Sequence, residues 1–174
     1  MAESAFPLRV AHMVGLTGTS TIAGVSFAMS ALVVPRILES PSPLLLRQWK
    51  HLFEIGRNTI PPLSIVTSIA VWYLAYEAKS NPNALPHKWK MYLISGILNL
   101  SIIPYTAAFM LPLNHKLQTK AEETSSLKAE DKIVEVGLGG ESAHQLVDKW
   151  ASLNMGRALL LAAAAALATW TALE

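Results

Sequence analysis

The 174-residue sequence contains no cysteine, which excludes disulfides, thiolate nucleophiles and cysteine-bound metal. Charge is also scarce: 15% of the residues are charged, against about 25% in a soluble domain. The formal net charge of +2 is too small to argue for nucleic acid as a partner. There is no dinucleotide fingerprint and no phosphate-binding loop. No internal repeat is visible, and every Asp and Glu lies outside the apolar segments, so ion-coupled transport lacks its usual acidic group.

What the chain has instead is long uncharged runs. Residues 10–35 lie between Arg9 and Arg36, residues 58–76 between Arg57 and Glu77, residues 91–114 after Lys90, and residues 158–173 between Arg157 and Glu174. A membrane span takes about 20 apolar residues. The first three runs reach that length, and the fourth does so by borrowing residues before Arg157. The first run exceeds the apolar core of a secretory signal, about 7–15 residues, and reads as a retained helix. Lipid offers the backbone no hydrogen bonds, so each span is expected to be helical. The sequence therefore predicts an all-α fold: a single domain over 1–174, a membrane-embedded up-down four-helix bundle with spans at about 10–34, 59–77, 90–112 and 154–172.

The linking segments carry further signals. In "SPSPLLLRQWKHLFEIGRN", Leu45, Trp49, Leu52, Phe53 and Gly56 recur at helical spacing opposite Arg47, Lys50, Glu54 and Arg57. This predicts an interfacial amphipathic helix in the first loop. "HKLQTKAEETSSLKAEDK" reads as an extension of the third helix or a cap, and "GLGGES" as a hinge or cap. Thr17, Ser20, Gly24 and Ala28 form a stripe of small residues for close packing of the first helix. Asn99, with Ser95 and Tyr92 one and two turns before it, reads as a hydrogen-bonded packing residue. Of the 14 Lys and Arg residues, ten fall in the loops after the first and third helices and four on the other side. That asymmetry predicts cytoplasmic first and third loops.

Polar side chains gather toward one end. Trp150, Asn154 and Arg157 follow i, i+4, i+7 spacing in "LVDKWASLNMGRALLL", so one helical face carries an indole, an amide and a guanidinium. Arg57 and Asn58 precede the second span, Asn114 and His115 end the third, and Trp49 and His51 lie in the first loop. Such a set suits a flat, oxygenated aromatic ligand, with rings stacking on Trp and Arg holding an oxyanion. His51, His115 and His144 could alternatively hold a metal, although none has close ligand spacing or an accompanying carboxylate pair. His12 and His87 fall on the opposite side with no matching cluster.

These segments together resemble the anthrone oxygenase family of small four-helix membrane proteins over nearly the whole chain. The marks are "RQWKHLFEIGRNTIPPLS", "KWKMYL", "IIPYTAAFMLPLNHKL" and "LVDKWASLNMGRALL". Where the family more usually has Pro-Thr-Asn, this chain has Pro112-Leu113-Asn114, a lost hydroxyl that bears on the substrate. The resemblance implies a monooxygenase that converts a polyketide anthrone to an anthraquinone with molecular oxygen as co-substrate and no flavin, haem or metal. The expected residues are His115 as base with His51 as alternative, and Asn114, Asn154, Arg57 and Arg157 around the substrate oxygens. Trp49, Tyr105 and Trp150 would stack on its rings. Lys116 is a second source of polarity beside His115. The expected setting is a multi-pass protein of the endoplasmic reticulum or another endomembrane; a homo-oligomer is possible. The competing readings are a non-enzymatic membrane scaffold or accessory subunit, and a His-ligated metal-dependent oxygenase.

Overall fold

The computed structural model describes residues 2–126 and 141–174. All regular structure among them is helical, and four helices are long and apolar enough to cross a membrane: Phe6–Ile37, Ser42–Ser80, Lys88–Glu123 and Ala143–Leu173. The chain is thus a multi-pass membrane protein. The Gly-rich turn after residue 136 lies outside the described residues, apart from Glu141 and Ser142.

All four helices begin before their hydrophobic runs, and two of them by more than ten residues. Ser42–Ser80 is continuous, so the amphipathic stretch expected as a separate interfacial helix runs directly into the second span. Pro61 and Pro62 sit inside it without ending it. Proline removes the N–H that would serve the carbonyl four residues back. Here those carbonyls belong to Arg57 and Asn58, which are exposed and can find other partners. The fourth helix starts at Ala143 because a capping box precedes it. The Ser142 N–H donates to Gln145 Oε1 (2.9 Å), and the Gln145 N–H donates back to Ser142 Oγ (3.2 Å). Ala143, Leu146, Val147, Trp150 and Ala151 then form a buried stripe.

Wide π-type turns interrupt the first helix at Met13–Thr17 and Met29–Val33 and the third at Thr106–Met110. The latter two are each followed two residues later by a proline, Pro35 and Pro112. A proline ring clashes with the carbonyl four residues earlier in a regular helix. The widened turn, closed by Val34 N–H to Met29 O and by Leu111 N–H to Thr106 O, lies where that clash would fall.

The chain divides into two compact units, each taking part of every long helix. The first comprises Met1–Val25, Thr59–Ile103 and Ala158–Glu174. Its apolar clusters centre on Val71, Leu74 and Tyr92, and on Ile22, Ile60, Ile102 and Leu161. A buried polar knot joins the second and third helices there. The Asn99 amide donates to Thr67 Oγ1 (2.7 Å) and Ser68 Oγ (2.9 Å), and Ser64 Oγ donates to the Asn99 carbonyl (2.8 Å). Asn99 is therefore the packing residue its position suggested. The small-residue stripe fared differently. Thr17, Ser20 and Gly24 are exposed, and the buried face carries Gly15, Thr19, Ser26 and Ser30. A Cβ on Gly15 would stand 3.0 Å from Val71 Cγ2, whereas one on Gly24 would meet nothing within 4 Å. Both faces are rich in small residues, so composition alone does not choose between them.

The second unit comprises the described residues of Ser26–Asn58 and Pro104–Arg157. Its core is built from Leu45, Leu46, Trp49, Met110, Leu117, Leu146, Val147 and Trp150.

Candidate functional site

Every residue singled out at the candidate site belongs to the second unit. Most of them fall into a buried group and an exposed group, with Tyr105, His144 and Arg157 half-buried. Trp49, Asn114, Trp150 and Asn154 are buried, while His51, Arg57, Asn58 and His115 are exposed. Both follow from helical geometry. Asn114 and His115 are consecutive, so when one faces the core the other points about 100° away.

The indoles of Trp49 and Trp150 meet edge to face, with centroids 6.1 Å apart and planes at 88°. Phe53 stacks on Trp49 at 5.1 Å. Trp150 Nε1–H donates to Asn114 Oδ1 (3.1 Å), which ties the fourth helix to the third. Trp49 Nε1 is buried without a partner. Tyr105 donates its hydroxyl to the Leu153 carbonyl (3.0 Å) and packs its ring against Phe109. It sits over Gly156, where a Cβ would stand only 2.5 Å from the phenol oxygen.

The i, i+4, i+7 stripe ends in a second polar cluster. The Asn154 amide donates to the Ser26 carbonyl (2.9 Å) and to Ser30 Oγ (2.7 Å), and Arg157 Nη2 donates to Asn154 Oδ1. The Arg157 Nε and the Ser26 hydroxyl are buried without partners. Among the described residues no carboxylate pairs with Arg157.

His115 lies elsewhere. With Lys116, Thr119, Lys120, Glu141 and Leu146 it lines an open hollow of about 370 Å³. Glu141 anchors this wall. Its carboxylate takes Lys116 at 3.1 Å and Lys149 at 3.6 Å, and its carbonyl accepts from Lys120 at 2.8 Å. The hydrogen bond and charge of Lys116, followed by the charge of Lys149, hold the Glu141 carboxyl below the ordinary carboxylate range. His144 donates Nε2–H to the Ser40 carbonyl (3.1 Å). Among the described residues no three His, Asp or Glu side chains are grouped to hold a metal ion.

Ser26, Ser30 and Glu141 were not legible as partners of the candidate residues. The two serines are four apart on the first helix, a spacing that marks a shared face but not its neighbour. A second polar group, in the first unit, also went unseen. His12 donates Nδ1–H to the Leu8 carbonyl (2.9 Å), so in the neutral ring Nε2 accepts from the Tyr92 hydroxyl (3.3 Å). This pair borders a hollow of about 310 Å³ that Glu77, Lys88 and Glu174 also line.

Four apolar helices with an amide–guanidinium cluster and paired indoles held among them define an integral membrane protein with polar groups built into its core. Comparison with known proteins gives the family. The family model described as anthrone oxygenase matches residues 49–167, and the chain belongs to that family. It is 31% identical to an anthrone oxygenase of Aspergillus novofumigatus over 80% of this chain and 79% of that protein. It is 30% identical to an anthrone oxygenase of Aspergillus fumigatus, over 92% and 91%. A noranthrone monooxygenase of Aspergillus flavus is 29% identical, over 83% of this chain and 64% of that protein. No solved structure matches the chain.

Proposed function

We propose that this protein oxidises a polyketide anthrone to the anthraquinone with molecular oxygen, through a carbanion and without a resident cofactor. The names of its relatives supply the substrate class. The central CH2 of an anthrone is doubly benzylic and lies across the ring from a carbonyl. Removing one proton gives an aromatic anthranolate that can reduce oxygen itself. Carbon–oxygen bond formation yields a peroxide, and loss of water leaves the quinone: one oxygen atom stays on carbon and the other leaves as water. The protein's tasks are to take the proton, steady the negative oxygen and keep the ring flat.

The observation that carries this reading is Arg157. It is a cation inside a membrane-spanning helix with no carboxylate partner among the described residues and a buried Nε–H without an acceptor. An unpaired charge in such a place is costly and marks a functional group by default. A planar oxyanion supplies the missing partner. His115, reachable from its hollow, is the base in this reading, and His51 the alternative. Asn114 and Arg57 are the further polar candidates, with Trp49, Tyr105 and Trp150 bounding the ring site. The protein resides in an endomembrane, the endoplasmic reticulum in the first instance, with the first and third loops cytoplasmic.

The test is to incubate purified protein with an anthrone under air and under nitrogen, with and without a chelator, and to follow the quinone. Turnover in air that is indifferent to chelation and needs no added flavin is expected. Loss on chelation with recovery on adding one metal overturns the cofactor-free mechanism and returns His51, His115 and His144 to the role of ligands.

A further inference from the structure

Asn154 has little hydrogen-bonding capacity left for a substrate. It is fully buried, and its neighbours leave its amide one orientation. The Ser26 carbonyl can only accept and the Arg157 guanidinium can only donate. Nδ2 must therefore face Ser26 (2.9 Å), and Oδ1 must face Arg157. The second amide hydrogen goes to Ser30 Oγ (2.7 Å). A guanidinium is planar and rigid, so fixing Nη2 limits where the free Nε–H points.

We infer that Asn154 is a positioning residue rather than a substrate ligand, and that Ser26 and Ser30 of the first helix aim the Arg157 guanidinium at the substrate oxyanion through it. The chain of contacts runs from Ser26 O and Ser30 Oγ through the Asn154 amide to Arg157. Its two serines lie outside residues 49–167, the stretch that the family model matches. The first helix is thus part of the machinery and not only of the bundle. The inference rests on the proposed reaction for its oxyanion, but the aiming of Arg157 is observable without any substrate.

Two measurements separate these. The first follows the Arg157 Nε–H by 15N NMR in the full-length protein, with no ligand added. A slowly exchanging resonance is expected in the wild type. About ten-fold faster exchange is expected in Ser30→Ala, and full solvent exchange in Asn154→Leu, which keeps the side-chain size and removes every hydrogen bond. Unchanged exchange in both variants overturns the inference. The second follows loss of deuterium from the CH2 of a labelled anthrone under nitrogen, which reads proton removal alone. Ser30→Ala is expected to lower kcat about ten-fold with KM within about two-fold, since small misplacements at a reacting centre cost rate before binding. Ser30→Thr, which keeps the hydroxyl, is expected to recover the wild-type rate. Asn154→Asp, which sets an acceptor against the Ser26 carbonyl and a carboxylate against Arg157, is expected to lose at least about 100-fold in kcat, because the amide donors are gone and the new carboxylate takes the charge meant for the oxyanion. Full activity in Asn154→Asp overturns the inference while the oxygenase reading stands. If exchange at Arg157 responds as expected but the wild type neither exchanges nor oxidises any anthrone, the positioning contacts stand and the proposed reaction fails.

Discussion

A guanidinium offers a planar oxyanion two parallel donors, whereas an ammonium offers a point charge. Arg157→Lys is therefore expected to lower kcat/KM by at least about ten-fold, with the loss persisting at every pH, because geometry and not protonation is missing. His115→Ala should lower kcat by about 10²–10⁴-fold, the usual weight of a general base. Raising the pH should partly restore it, since hydroxide can replace the lost base. Anthrone kinetics across pH check both, and full activity of the His115 variant at neutral pH hands the role to His51. At Glu141 the outcome concerns stability. Its folded pKa is depressed, so its contribution is complete above the ordinary carboxylate range and is lost as the pH falls through the folded value. The hydrogen exchange of the first turn of the fourth helix should thus be faster in Glu141→Gln than in wild type at neutral pH. The difference should close in acid and shrink in high salt. Which residues carry polar chemistry was readable from their spacing in the chain. Which of them face one another was not, because Asn114 and His115 differ by one helical step and only packing decides which of the two turns inward.

Among the elements, the four long helices were legible because lipid forces every span to be an apolar helix. Their ends were legible only in part. The start of the fourth helix was signalled by "SAHQ", a Ser followed three residues later by Gln, but the hydrophobic run begins later and drew the boundary with it. The Pro61–Pro62 pair stays inside the second helix, where the carbonyls left without an N–H belong to the exposed residues Arg57 and Asn58. Asn99 ties the second helix to the third through buried hydrogen bonds. Its replacement by Ala removes donors to Thr67 and Ser68 and should cost about 1–2 kcal/mol of unfolding free energy in bilayer or micelle. Steric-trapping measurements check this, and an unchanged stability would mean the knot re-forms around water.

For the whole molecule, the ten-to-four distribution of Lys and Arg makes a prediction that does not depend on chemistry. Glycosylation acceptor sites added at either terminus should be modified, and one inserted in the third loop should not. Modification of the third-loop site alone would reverse the orientation. This expectation is independent of the site, so orientation and mechanism can fail separately.

The seat of Tyr105 on Gly156 also constrains the order in which this sequence can change. Gly156→Ala would favour the helix by about 1 kcal/mol on propensity, yet its new methyl would meet the phenol oxygen at 2.5 Å. Taken first, the step should lower the melting temperature; taken after Tyr105→Phe, which removes that oxygen and leaves the ring carbon at 3.3 Å, it should cost less. Thermal unfolding of the two single variants and the double variant checks the difference. Two residues 51 positions apart in the chain are thereby coupled, so that the cost of changing the glycine depends on what stands at the tyrosine.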